Sequence, residues 1–551
     1  MNQEYTRSPI SGQMMSQPLL ISTIIRHADR HFANKEIVSR RVEGDIHRYT
    51  YAECHARARK MANALRALGV QMGDRIGTLA WNGYRHLELY YAISGIGAVM
   101  NTINPRLHQN QIAYIANHAQ DQYLFFDLSF LELVERIAPH CPSIKGYVLM
   151  SDAARMPAET TIPNLLCYEE LVSQSECLAE WPQFDEHAAS TLCYTSGTTG
   201  NPKGALYSHR STILHAYASS LPDGLNISSR EVVMPVVPMF HVNAWGLPYS
   251  AALNGAKLVL PGPSLDGESL HALCEQEGVT FSAGVPTVWL GLLNHMESRK
   301  LSLSALRRVV IGGSACAPAL MDTYRLQHGV ELLHSWGMTE MSPLGTVCTL
   351  QNQHLSLPEA EQQAIKQKQG HVLFGVDMKI VDDLGKDLPW DGKTPGHLHV
   401  KGQWVIDSYF GQEDASALQD GWLPTGDVAT IDGDGYMQIT DRSKDVIKSG
   451  GEWIGSIDIE NIALDHPAVQ QAACVGIPHP KWAERPLLVV VRKPGMHTTR
   501  EDLIHHYEGK VAKWWTPDDV AFVDSLPTGA TGKVLKNLIR DQFKNHPLPN
   551  T

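Results

Sequence analysis

Residues 194–204 read Tyr194-Thr195-Ser196-Gly197-Thr198-Thr199-Gly200-Asn201-Pro202-Lys203-Gly204. Three glycines let backbone amides come close to a phosphate chain, while the serine and threonine hydroxyls and Lys203 add further donors. A Walker A loop needs Gly-Lys followed by Ser or Thr. Here Pro202 precedes the lysine and Gly204 follows it, so the kinase and P-loop ATPase reading fails. The segment is a phosphate-binding loop of another kind.

Its surroundings alternate short β-branched runs with amphipathic stretches. Thr50 and Glu53 have capping-box spacing, and Cys54, Ala58, Met61, Leu65 and Leu68 then paint one apolar helical stripe that Gly69 stops. Strands are expected at 75–81, 123–126, 147–150, 257–260, 309–311 and 331–334. Such alternation predicts layered α/β structure with largely parallel sheets. From 421 to 451 the chain is dense in Gly and Asp, as in Asp432-Gly433-Asp434-Gly435, and reads as tight turns. Beyond it, 470–477 and 486–491 look like strands of a smaller unit. The boundary is placed near Asp441, dividing the chain into 1–440 and 441–551.

At 551 residues the chain exceeds one ordinary core, and 43% hydrophobic residues supply ample interior. A net charge of −12 argues against a nucleic-acid-wrapping protein, since phosphate backbones need a basic surface. Nine scattered cysteines without a Cys-x-x-Cys pair point to neither a disulfide framework nor structural zinc. The first 20 residues lack a signal-peptide pattern, and the longest apolar stretch, 90–100, is too short to span a bilayer. A cytoplasmic protein without a transmembrane segment is expected.

The 194–204 loop resembles the signature phosphate loop of the adenylate-forming enzymes, a superfamily of acyl-CoA synthetases, luciferase and peptide-synthetase adenylation domains. The resemblance continues in order. Phe240-His241 matches the aromatic–histidine motif. Ser335-Trp336-Gly337-Met338-Thr339-Glu340 matches the adenine and magnesium motif, and Pro424-Thr425-Gly426-Asp427 the ribose motif. Asp441-Arg442-Ser443-Lys444-Asp445 matches the hinge, and Gly529-Ala530-Thr531-Gly532-Lys533 the C-terminal lysine motif.

The resemblance implies a large N-terminal domain of several layered α/β subdomains and a small, mobile α+β C-terminal domain. It implies ATP, Mg²⁺ and CoA as the small molecules used with a carboxylic acid. Lys533 would be the cation that meets the α-phosphate and the acid, with His241 and Lys448 as further catalytic residues. Thr195 to Gly200 and Lys203 would cradle phosphates, Trp336 would stack on adenine, and Asp427 would accept the ribose hydroxyls, with Arg442 nearby. Glu340 and Thr195 would hold Mg²⁺. Lys444 would be the hinge about which the C-terminal domain turns, bringing Gly450, Gly451 and Glu452 to a thiol tunnel.

The acid is narrowed by two features. Amino-acid-activating relatives carry an aspartate where His241 stands, which disfavours an amino acid. Trp245 matches a tryptophan that gates an alkyl tunnel in fatty acyl-CoA synthetases, and Val285, Pro286 and Thr287 with Gly313, Ser314 and Ala315 match pocket walls. The likeness is greatest to bacterial medium-chain fatty acyl-CoA synthetases, with 3-(methylthio)propionate ligases nearly as close. Each methylene contributes only about 0.8 kcal/mol, so motifs leave the two open. Gln369-Gly370-His371 and Gly455 depart from the pattern expected of close relatives. A homodimer is compatible with the sequence, and a non-catalytic nucleotide- or acyl-binding protein is the reading from another class.

Overall fold

The computed structural model describes residues 10–195, 201–449, 452–529 and 533–549. Two large sheets face one another across a shared layer of helices. The first has nine strands, from His371–Val372 through Leu344–Val347, Glu331–Gly337, Arg308–Ile311, Phe281–Gly284, Val232–Pro235, Lys257–Leu260 and Glu36–Arg40 to Ile46–Thr50. Its middle strands are parallel. The second has seven, in the order Leu165–Cys167, Gly146–Met150, Tyr123–Asp127, Arg75–Leu79, Val99–Thr102, Ala189–Tyr194 and Gly204–Ser208, with only the last pair antiparallel.

The expected capping box is present. Thr50 accepts the Glu53 amide and opens the helix Tyr51–Ala67, and Cys54, Ala58, Met61 and Leu65 face inward. This helix packs with Ile21–Phe32, Tyr84–Gly95 and Leu247–Asn254 between the sheets, forming one continuous apolar core. Pro286–Arg299 and Pro318–His328 cover the far face of the nine-stranded sheet. Gln109–Ala119 and Leu131–Ile137 cover that of the seven-stranded sheet.

The Gly/Asp-rich segment holds more than turns. Leu423–Ile431 and Met437–Arg442 are strands of an antiparallel four-stranded sheet with Val376–Val381 and Gly396–Gly402, and Asp432 to Gly435 form only the connection between them. There Asp432 Oδ1 accepts the Asp434 and Tyr436 amides, so carboxylate chemistry closes a hairpin that composition alone presented as irregular. Gln369, one of the unexpected residues, ties this sheet to the nine-stranded one. Its carbonyl accepts Thr346 Oγ1 at 2.6 Å and its side-chain oxygen accepts the Ile439 amide at 2.5 Å.

The chain ends in a smaller unit. Ile447–Ser449, Glu452–Ile454, Ala483–Arg492 and Val469–His479 form an antiparallel sheet, with Asp519–Phe522 parallel to Ala483–Arg492 at its edge. Ser456–Leu464 and Arg500–His506 pack on one face, Lys536–Phe543 on the other. Among the described residues no helix is long and apolar enough to cross a membrane.

Candidate active site

Four neighbouring parallel strands of the nine-stranded sheet end on one cavity of about 880 Å³. Val236 to Pro238 follow Val232–Pro235, Val285 follows Phe281–Gly284, Gly312 and Gly313 follow Arg308–Ile311, and Ser335 to Gly337 finish Glu331–Gly337. The carboxyl ends of parallel strands are where loops are free to diverge and bind ligands. The opposite wall comes from the seven-stranded sheet through Thr195, Asn201, Pro202 and Lys203. The four-stranded sheet adds Thr425, Asp427 and Arg442, and among the described residues beyond that sheet Lys533 joins the lining. Residues from across the whole sequence meet here because three sheets converge.

Of the expected site residues, Thr195, Lys203, His241, Trp245, Val285, Gly313, Ser335, Trp336, Gly337, Met338, Thr339, Glu340, Asp427, Arg442 and Lys533 line the cavity. Ser196, Gly197, Thr198, Thr199 and Gly200 lie outside the described residues, as do Gly450 and Gly451. Pro286, Ser314 and Ala315 are not brought to the lining: Pro286 begins the helix Pro286–Arg299, and Ser314 and Ala315 are exposed. Lys448 is not brought to the cavity. It is exposed on the strand Ile447–Ser449, its amide donates to Glu484 Oε2 at 2.8 Å, and its ammonium lies 5.9 Å from the Trp453 ring centre. Lys444 sits in the exposed turn between Arg442 and Ile447.

Two polar clusters divide the cavity floor. Glu340 is buried, and its Oε1 accepts the Tyr409 hydroxyl at 2.8 Å, while the Lys203 ammonium lies 4.8 Å from the Tyr409 ring centre. Asp427 is also buried. It accepts the Trp336 indole N–H at 2.9 Å and lies 3.4 Å from Arg442 Nε, and its own amide donates to Thr425 Oγ1. Lys533 lines the same cavity, near enough to Arg442, Asp427 and Glu340 for their charges to act on it. Burial, and then the nearby Arg442 guanidinium, push its ammonium down to about 8, against the pull of Asp427 and Glu340. Burial and Lys533 hold His241 at about 4, so its imidazole is neutral at physiological pH. At Gly313, in left-handed backbone at φ +82°, an added Cβ would stand 3.7 Å from Lys533 Cε and 3.4 Å from Val285 Cγ1. The lysine therefore passes over bare backbone.

The apolar end is walled by Val236, Val237, Phe240, Trp245, Val285 and Val288. Trp245 is placed there by an unusual local structure. Val242, Asn243, Ala244 and Trp245 have φ of 48°, 52°, 49° and 56°, a full turn of left-handed backbone that ends at Gly246. Left-handed residues cost roughly 1–2 kcal/mol each for L-amino acids, so the turn costs roughly 4–8 kcal/mol that its buried setting must offset. At Gly312 any Cβ would meet the Trp245 ring at 3.3 Å and the Ser335 carbonyl at 3.2 Å.

The motifs missed several lining residues: Arg106, Tyr114, His118, Val288, Tyr409 and Gln412. Arg106 sits 5.6 Å from the Trp81 ring centre and 5.8 Å from that of Phe240. A further link joins the large and small units at the rim. His397 Nδ1 lies 3.1 Å from Ser443 Oγ and Nε2 lies 2.9 Å from Asp383 Oδ1, with the ring edge-on to Trp453 at 5.5 Å.

Residues 25–410 match the AMP-binding enzyme family, and residues 458–533 match the AMP-binding enzyme C-terminal domain. The chain is 55% identical to the 3-methylmercaptopropionyl-CoA ligase of Ruegeria lacuscaerulensis, over 97% of this chain and 99% of that protein. It is 48% identical to the medium-chain-fatty-acid–CoA ligase of Ectopseudomonas oleovorans, over 97% of each. Among solved structures, the anthranilate CoA ligase AuaEII in complex with anthranoyl-AMP superposes with a TM-score of 0.84 at 25% identity, covering 95% of this chain and 97% of that one.

Proposed function

Since this chain belongs to the AMP-binding enzyme family and is an adenylate-forming acyl-CoA ligase using ATP, Mg²⁺ and CoA, we propose that its acid is short, unbranched and apolar. A thioether acid, 3-methylmercaptopropionate, comes first because the relatives named for it reach 55% and 51% identity. A medium-chain fatty acid comes second, from the relative at 48%. One observation carries the site reading: Lys533, which among the described residues beyond Arg442 is the one that lines the cavity, is near enough to Asp427 and Glu340 for their charges to act on it.

A free carboxylate is a poor acyl donor, so it is first joined to the α-phosphate of ATP, displacing pyrophosphate. Negative charge grows on phosphate oxygens during that step, and a fixed cation aimed there lowers the barrier. Lys533 is the group placed to do this, and Lys203 lies on the opposite wall for the outer phosphates. Asp427 takes the ribose hydroxyls. Glu340 and Thr195 both line the cavity, and their oxygens would hold Mg²⁺ together with nucleotide oxygens, the usual way that ion is bound. When bound, Mg²⁺ supplies neutralisation of phosphate charge.

The second step needs the CoA thiol at the acyl carbonyl, where Lys533 now stands. We assign the unit from Asp441 onward as the part that moves aside, with Lys444 as pivot. Lys448, outside the cavity in this arrangement, then belongs to the thiol step. Cytoplasmic residence, supported by nine free cysteines, and homodimeric assembly complete the reading.

Acid-dependent exchange of labelled pyrophosphate into ATP tests the first step. Exchange should be strongest with 3-methylmercaptopropionate and acids of about four to eight carbons. Absence of exchange over the whole panel would refute the assignment.

A further inference from the structure

Trp336 and Asp427 come from different sheets and are 91 residues apart, yet the indole Nε1–H donates to Asp427 Oδ2 at 2.9 Å. We propose that Trp336 is a positioning residue for the nucleotide's ribose, fixing the Asp427 carboxylate through its ring edge while its face remains open to the base. The inference rests on reading Asp427 as the ribose group.

The geometry separates these two duties. An indole carries its only donor in the ring plane, so a base can lie on the face without competing for the N–H. Phenylalanine has no donor, and the donor of tyrosine lies at the far tip of its ring. The ring is also held from behind, because a Cβ at Gly345 would come within 2.8 Å of Trp336 Cζ3 and 3.0 Å of Cε3. Glycine there lets the six-membered ring settle against the strand Leu344–Val347, which aims the opposite, nitrogen-bearing edge at Asp427.

The carboxylate is constrained on its other sides too. Arg442, paired with Asp427 on the neighbouring strand, approaches Oδ1 at 3.4 Å. Thr425 Oγ1 accepts the Asp427 amide at 3.1 Å and itself donates to the Leu398 carbonyl at 2.9 Å. An ionised carboxylate has about four acceptor positions. With the indole on Oδ2 and the guanidinium beside Oδ1, one acceptor position is left on each oxygen, as a vicinal diol requires. Without the indole the carboxylate would be free to turn toward Arg442 and present a single oxygen.

The test compares ATP with 2′-deoxy-ATP and 3′-deoxy-ATP in pyrophosphate exchange, using the full chain. Trp336→Phe keeps a stacking face and loses the donor. KM for ATP should rise about five- to tenfold with kcat nearly unchanged, while KM for both deoxy nucleotides moves little. Discrimination between ATP and the deoxy nucleotides then shrinks by the same factor. Replacing Trp336 by 3-benzothienylalanine, which keeps the shape and puts sulfur in place of N–H, should reproduce that pattern even if the phenylalanine variant folds poorly. Equal losses for all three nucleotides, or no loss, would overturn the proposal. Asp427→Asn separates the premise: if it leaves the ATP preference intact, Asp427 is not the ribose group and both readings fall.

Discussion

The lowered proton affinity of Lys533 gives a pH dependence that can be worked out in advance. In the free enzyme this ammonium titrates at about 8, pushed down by burial and by Arg442. Below that value it is charged and can stabilise the phosphate; above it the cation is lost. About nine-tenths of the free enzyme then carries the cation at pH 7 and about one-tenth at pH 9, so kcat/KM for ATP should fall about tenfold across that interval. His241, near 4, stays neutral throughout. Pyrophosphate exchange at subsaturating ATP is the right assay, because it leaves out CoA, whose thiol titrates in the same range. Bound phosphates favour the cation, so the descending limb of kcat should lie at higher pH than that of kcat/KM. Lys533→Arg, charged over the whole range, should be slower yet lose the limb near 8. A wild-type profile flat to pH 9.5, or an arginine variant with the same limb, would refute the reasoning.

Two other substitutions probe the apolar end and the rim. Trp245→Ala removes the indole from the acyl pocket and should favour longer acids; each methylene newly buried is worth about 0.8 kcal/mol, or about fourfold in relative kcat/KM. An unchanged ranking across a chain-length series would show that the tryptophan does not set the pocket's depth. His397→Ala deletes contacts to Ser443 and Trp453 that hold the small unit against the large one. Pyrophosphate exchange should drop about fivefold, while thioester formation from supplied acyl-adenylate and CoA stays near the wild-type rate; equal losses in both assays would count against that role.

Local signals survived folding where local chemistry decides. The Thr50–Glu53 capping box and the stripe behind it give the helix Tyr51–Ala67, and the apolar run at Lys257–Leu260 is a strand with those same ends. The run at 75–81 stops earlier, at Leu79, because Trp81 and Asn82 leave the sheet: the Trp81 amide donates to Asp127, and Asn82 donates to the carbonyls of Pro235 and Val237. That is a tertiary choice no window of sequence could contain. The antiparallel sheet around Asp432 stayed hidden for a related reason, since its strands depend on partners up to 33 residues away, as Gly396 pairs with Ala429. In the site, motifs located most of the polar groups that line the cavity. They could not locate Tyr409, which orients Glu340, or Arg106, because each gains its meaning only from neighbours on other elements. Lys448 shows the converse, a residue inside a recognisable motif that this arrangement keeps away from the cavity.

The reversed turn at Val242 to Trp245 has a consequence for how such a pocket can change. Along a backbone of opposite screw sense, each added residue carries the next side chain around the axis in the contrary direction. Inserting or deleting one position between His241 and Gly246 would therefore swing the indole out of the wall instead of sliding it along. Substrate preference can drift by altering the facing valines, but the spacing of this segment is fixed by handedness.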